Sequence, residues 1–87
     1  MSEPKSTLKM NIVGEQVAAA RKLLKITQRD LAVATGLTQA TVTKFERGRN
    51  VRPETVEAVR EALLERGIEF TNGGAPGVRL RKAESDY

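Results

Sequence analysis

The sequence contains no cysteine and no histidine among its 87 residues. Their absence excludes disulfides, zinc fingers, thiolate nucleophiles and imidazole bases, and with them most transition-metal sites. The three serines, Ser2, Ser6 and Ser85, lie near the ends of the sequence, where a catalytic nucleophile could hardly be held. An enzyme is the remotest interpretation, because only carboxylates or lysines remain to carry chemistry. We predict no catalytic residue, no metal site and no cofactor.

Long apolar runs are also missing. No run approaches the ~18 residues of a membrane span, and no signal-peptide core follows Met1. The fractions of hydrophobic residues (39%) and charged residues (30%) are typical of a soluble globular protein, which we expect in the cytoplasm. A chain of 87 residues predicts one domain. A core of that size buries only ~60% of the unfolded surface, so a partner chain could add stability.

The net charge of +4 is unevenly distributed along the chain. Residues 28–52 contain five basic and two acidic residues, whereas residues 53–70 contain two basic and five acidic ones. A basic segment beside an acidic one indicates a face suited to an anion, with a second face kept away from it. Ordinary surface charge is the alternative interpretation.

Apolar spacing predicts four helices. The first begins near a possible N-cap at Asn11, and its inner face carries Val13, Val17, Ala20 and Leu24. Thr27 caps a second helix over residues 28–35, which Gly36 ends in a left-handed conformation. Thr38 caps a third helix over residues 39–47.

The third helix has only two large apolar anchors, Val42 and Phe45. Its opposite face carries Gln39, Ala40, Thr43 and Lys44. A short helix, a glycine turn and a second helix with a polar face form the helix-turn-helix arrangement, whose second helix enters the DNA major groove. Glutamine can form hydrogen bonds with adenine, and lysine can form them with guanine. The methyl groups of threonine and alanine can contact the methyl group of thymine. The sequence therefore predicts double-stranded DNA as the ligand.

The fourth helix begins at Pro53 and ends at Gly67. Apolar and polar residues alternate on both sides of the turn-forming segment 72–77, which predicts a short β-hairpin. The predicted fold is thus mostly α-helical, with about four helices and a short C-terminal β-hairpin or strand. We expect a flexible arm over residues 1–10, a helix-turn-helix domain over 11–67, a β segment over 68–82 and a frayed tail over 83–87.

Residues 11–66 resemble the lambda-repressor-like, Xre/Cro/CI-type helix-turn-helix of bacterial and phage repressors. The resemblance rests on R-x-x-x-x-x-T-Q-x-x-L-A, which begins at Arg21, and on G-x-x-x-x-x-[VI]-x-x-x-E-x-G, which begins at Gly36. The segments Gly67-Ile-Glu-Phe and Gly77-Val-Arg-Leu-Arg-Lys resemble a subgroup of such regulators with a C-terminal extended segment. The family usually has five helices, and here a hairpin stands in place of the fifth.

The resemblance implies roles for individual residues. It implies base contacts by Gln39, Ala40, Thr43 and Lys44. It implies phosphate contacts by Gln28, Thr38, Thr41, Arg47, Arg49 and Arg52. It implies a structural ion pair between Arg21 and Glu46. Structural alternatives remain open for several of them: Gln28 could simply begin its helix, Thr38 could serve only as a cap, and the loop arginines could be solvated charges.

The predicted function is a DNA-binding transcriptional regulator, a repressor that binds a palindromic operator as a homodimer. Four apolar residues of the β segment are the predicted dimer contacts: Ile68, Phe70, Val78 and Leu80. Alternatively, this segment could fold back on its own fourth helix. Two other functions remain open, namely the antitoxin of a toxin–antitoxin pair and a protein-interaction module that does not bind DNA.

Overall fold

The structure is a computed structural model, and it describes residues 12–72 and 75–81. Four helices are followed by a two-stranded antiparallel sheet. The elements are α1 (Gly14–Leu24), α2 (Gln28–Thr35), α3 (Gln39–Glu46), α4 (Pro53–Glu65), β1 (Ile68–Thr71) and β2 (Gly77–Leu80). The mostly helical fold with a C-terminal hairpin is confirmed. The predicted arm over residues 1–10 and tail over residues 83–87 lie outside the described residues.

Helix α2 begins and ends where the sequence predicts, and α3 begins as predicted but ends at Glu46, one residue before its predicted end. The Thr27 hydroxyl accepts from the Asp30 N–H, and the Asp30 carboxylate accepts from the Thr27 N–H, each at 2.9 Å. The bond from the Thr27 N–H to the Asp30 carboxylate is the first cause that holds the pKa of Asp30 below its ordinary value, and the Thr27 hydroxyl is the second. Gly36 ends α2 at a φ of 76°, a left-handed conformation that glycine adopts without strain. The helix-turn-helix is therefore encoded locally.

The core lies where the four helices and the inner face of the hairpin meet. Its largest fully buried side chains are Val17, Leu31, Val42, Val59, Leu63 and Ile68. Helix α2 packs against both α3 and α4, and α1 packs against α3. Because α3 contributes only Val42 and Phe45 to this core, a large part of its surface lies outside the core.

The first helix differs from its prediction at its beginning. The N-cap is Val13 rather than Asn11, which lies outside the described residues, and the Val13 side chain is 41% exposed. Because the helix begins at Gly14, its buried face includes Gly14 and Gln16 as well as Val17 and Ala20. The apolar spacing missed this because it counted Val13 as helical and ignored a buried glycine and glutamine.

The hairpin pairs Ile68 with Leu80 and Phe70 with Val78, so these four residues share one face, as predicted. That face is turned toward the helices: β2 packs on α1 and β1 on α4. Ile68 and Phe70 are only 1% and 6% exposed within a single chain. The chain therefore covers most of this face itself, and these two side chains are core residues rather than an open surface for a second copy.

One buried side chain holds the hairpin on α1. Gln16 is 2% exposed, and its Nε2 donates to the carbonyl oxygens of Thr71 (3.1 Å) and Gly77 (3.0 Å). Nε2 also lies 3.3 Å from Oδ1 of Asn72, and Oε1 accepts from the Val13 N–H at 2.9 Å. A buried amide is stable only when its donors and acceptors are paired. The hairpin supplies the acceptors for Nε2, and Val13 supplies the donor for Oε1.

Candidate nucleic-acid interface

Helix α3 divides into a buried side and an exposed side. Val42 and Phe45 are 0% and 5% exposed and fix the helix in the core. Of the four residues predicted to contact bases, Gln39, Ala40 and Lys44 are exposed and Thr43 is half-buried. The structure therefore brings all four predicted residues to one outward face of the helix that the core leaves free.

The polar groups on this face have few partners within the chain. Neither Gln39 nor Lys44 makes a side-chain hydrogen bond or ion pair with another described residue. The same holds for the three exposed arginines after α3, namely Arg47, Arg49 and Arg52. Unpaired cations at the end of an exposed helix are available to an anionic partner.

A groove with a volume of about 540 Å³ lies between α3, the loop that follows it and the start of α4. Thr41, Lys44 and Arg52 all line it, so two predicted phosphate ligands lie beside a predicted base contact. Its other lining residues are Leu37, Asn50, Val51 and Thr55. The arrangement offers two cations and a hydroxyl along one side of the exposed helix.

Two threonine hydroxyls at the start of α3 bond locally. Thr38 Oγ1 accepts from the Thr41 N–H at 3.1 Å and lies 3.0 Å from Thr41 Oγ1. Thr38 is thus the N-cap of α3. The first N–H groups of a helix lack acceptors within the helix, and such helix ends commonly bind phosphate.

Arg21 of α1 and Glu46 at the end of α3 form a two-bond ion pair. Arg21 Nε donates to Oε2 at 2.7 Å and Nη2 donates to Oε1 at 2.9 Å. Their side chains are only 15% and 7% exposed. Hydrogen bonding to Glu46 raises the pKa of Arg21. Burial acts to raise the pKa of Glu46, but the bonds from Arg21 and Gln28 outweigh it, so this pKa lies below its ordinary value.

Gln28 joins this pair to the exposed side of α3. Its Nε2 donates to Glu46 Oε1 at 3.0 Å, and its Oε1 accepts from the Thr43 hydroxyl at 2.8 Å. The predicted phosphate ligand therefore makes two protein contacts. Its amide keeps one N–H hydrogen for an external acceptor, since neither of those bonds uses it.

Sequence reasoning missed the role of Gly14. A β-carbon at this position would lie 2.1 Å from the carbonyl oxygen of Phe45 and 2.8 Å from the Cα of Glu46. The backbones of α1 and α3 therefore touch directly, beside the Arg21–Glu46 pair. A glycine within a helix carries a conformational cost, and that cost was the one signal in the sequence that could have indicated this contact.

Comparison with known families agrees with this geometry. A helix-turn-helix family model matches residues 17–67, more than half of the chain. The chain belongs to the helix-turn-helix family of the Xre/Cro/CI type, whose members are DNA-binding regulators rather than typical enzymes. A search of curated proteins gave no match.

In the part of the chain that the structure describes, no helix has the length and apolar character needed to cross a membrane. No group of three or more acidic side chains is placed there to hold a metal ion.

Proposed function

We propose that this protein is a sequence-specific transcriptional repressor that binds a palindromic operator as a homodimer. Within the family of DNA-binding regulators to which the chain belongs, the observation that carries the proposal is the outward face of α3. It presents Gln39, Ala40 and Lys44 without partners among the described side chains, next to three unpaired arginines. An α-helix fits the major groove, which is ~12 Å wide, and these residue types match base-edge chemistry.

Gln39 and Lys44 supply base readout in this proposal. Substituting either by alanine should weaken binding to the operator by ~1–3 kcal/mol and leave binding to random DNA nearly unchanged. The operator is first selected from a random-sequence pool with the wild-type protein, and affinities are then measured on both DNAs. An equal loss on both DNAs, or no loss, contradicts the assignment.

Arg47, Arg49 and Arg52 bind phosphates in this proposal. Each neutralised phosphate contributes ~0.9 to the slope of log affinity against log salt, so Arg49→Ala should make the slope shallower without changing sequence preference. Gln39→Ala is the matched control, because it should change the preference for DNA sequence and leave the salt dependence of binding unchanged. A change in preference at one base pair in Arg49→Ala would assign that arginine to base readout instead.

The homodimer is proposed from the geometry of the hairpin. A sheet of two strands leaves the outer side of each strand without a neighbouring strand in the described part of the chain. Such edges favour pairing with a second copy, and a twofold axis lets the same edge serve both chains. Ile68 and Phe70 are buried, so the available apolar contacts are the half-buried Val78 and Leu80, which is 37% exposed.

The oligomeric state tests this interface. Leu80→Glu should shift the sedimentation of the full chain from dimer to monomer and weaken operator binding. Val33→Glu is the matched control: Val33 is the most exposed large apolar residue among those the structure describes (77%), and it lies on α2 rather than on the hairpin. A Leu80→Glu chain that sediments as a dimer would place the interface elsewhere, and a monomeric wild-type chain would exclude the dimer itself.

A further inference from the structure

The Thr43 hydroxyl has its hydrogen committed to the protein. Thr43 Oγ1 donates to Gln28 Oε1, Gln28 Nε2 donates to Glu46 Oε1, and Arg21 holds Glu46. A hydroxyl has a single hydrogen, so donating to a base edge would break this chain of bonds. It would also leave the Gln28 oxygen without that donor.

Thr43 nevertheless lies on the exposed side of α3. It is four residues from Gln39 and three from Ala40, spacings that make side chains neighbours on a helix. The part of its side chain without a polar role is the Cγ2 methyl group. Its helical neighbour Ala40 is exposed and also carries a methyl group.

We infer that Thr43 is a specificity-determining residue that selects thymine through its methyl group, while its hydroxyl positions Gln28. The inference rests on the proposed function, since it requires α3 in the major groove. Thymine is the only base that presents a methyl group there, and a threonine methyl is a suitable apolar contact for it. The two groups on one β-carbon thus have separate tasks, with the hydroxyl bound to protein and the methyl facing DNA.

Replacing thymine by deoxyuridine tests the methyl contact, because it removes only the C5 methyl. Each thymine of the selected operator is replaced in turn, symmetrically in both half-sites. For the wild-type protein, the substitution at the base facing Thr43 should lower affinity about fourfold per half-site, the value expected for one buried methyl group.

Two variants separate the two groups of Thr43. Thr43→Ser keeps the hydroxyl and removes the methyl, so it should lower affinity about fourfold per half-site and become insensitive to deoxyuridine at that position. Thr43→Val keeps a methyl and removes the hydroxyl. It should retain the deoxyuridine effect and lose affinity equally for operator and random DNA, because Gln28 loses its fixed orientation.

Ala40→Gly is the matched control for the position of the contact. It should not abolish the effect at the base assigned to Thr43. The inference is overturned if Thr43→Ser keeps the wild-type deoxyuridine profile, if Ala40→Gly alone removes the effect, or if no thymine is sensitive. A wild-type protein that selects no DNA sequence at all would instead overturn the proposed function, and the inference with it.

Discussion

The cations of the helix-turn-helix segment (residues 28–52) and of the C-terminal segment (residues 53–81) are used differently. In the first segment, five cations bind no other described residue: Arg29, Lys44, Arg47, Arg49 and Arg52. In the second, every arginine is held by the chain. Arg60 pairs with Glu57, Arg66 donates to the Ala62 carbonyl, and Arg79 and Arg81 pair with Glu69.

This difference indicates which positive charges are available to an external anion. A paired guanidinium is partly neutralised and its orientation is set by its own chain, whereas an unpaired one keeps its full field. The C-terminal segment also carries exposed glutamates on α4, including Glu54, Glu61 and Glu65. The chain therefore presents positive charge beside α3 and neutral or negative charge on the segment that follows.

The largest expected effect concerns the interior of the helix-turn-helix segment, at its contact with α1. Gly14→Ala should lower the free energy of unfolding by ~3 kcal/mol, because the added carbon would meet backbone atoms that no side-chain rotation can move. Urea unfolding measures this loss. Gly36→Ala is the control: a β-carbon there has no atom within 4 Å, so only backbone strain of ~1–2 kcal/mol is expected. Equal losses would exclude a steric cause.

The second effect concerns the ion pair that joins α1 to α3. A double-mutant cycle with Arg21→Met and Glu46→Gln should give a coupling of ~2 kcal/mol in unfolding free energy, more than the ~0–1 kcal/mol of an exposed pair. The reason is that both side chains are mostly buried and form two hydrogen bonds. Additive losses would show that the pair contributes no more than a surface one.

A third change breaks the C-terminal segment and leaves the helix-turn-helix intact. Gln16→Met should lower the free energy of unfolding by ~1–2 kcal/mol, since it removes the side-chain hydrogen bonds to the hairpin while keeping the volume of the side chain. Hydrogen exchange should accelerate at the Arg81 N–H, which bonds to the Gly67 carbonyl at 2.8 Å. The Val42 N–H in α3 serves as the internal control. Equal acceleration at both amides would mean that the two segments unfold together.

Two arginine variants test the comparison of cations directly. Arg60→Ala should destabilise the fold by ~1 kcal/mol, because the buried stem loses its packing, with little change in affinity for random DNA. Arg49→Ala should do the reverse, changing stability by less than ~0.5 kcal/mol and weakening DNA binding. The free energy of unfolding and the affinity for random DNA are measured on both variants. Similar results for the two would mean that Arg60 and Arg49 do not differ in their roles.

The smallest effect is on the pH dependence of stability. Because the pKa of Glu46 is lower in the folded chain than its ordinary value of 4.5, the unfolded chain binds more protons near that pH. The stabilisation that Glu46 contributes to the fold is present above pH 4.5 and is lost as the pH falls through the pKa of Glu46 in the folded chain. The exposed Asp30 contributes in the same direction. As the pH is lowered, the free energy of unfolding should fall less steeply in Glu46→Gln than in the wild-type protein. An unchanged slope would contradict the assignment.

Several features follow from the sequence alone because their causes are local. Thr27, Gly36, Thr38 and Pro53 mark helix ends through the hydrogen bonds and backbone angles of their own neighbours. The alternation in the β segment likewise predicts the hairpin and the shared face of its apolar residues. The outward position of Gln39, Ala40, Thr43 and Lys44 on α3 follows from helical spacing, once Val42 and Phe45 are recognised as the residues that anchor the helix in the core.

Other features depend on which surfaces meet, and local spacing carries no record of that. A glycine at residue 14 looks like a weak helix start until α3 packs on its backbone. Gln16 looks like a surface glutamine until the hairpin covers it and supplies carbonyl oxygens for its amide. Arg60 and Arg49 have the same chemistry, and only the packing around them leaves Arg60 buried, at 8% exposure, and Arg49 exposed. Their difference is tertiary because burial depends on neighbours that are distant in the chain.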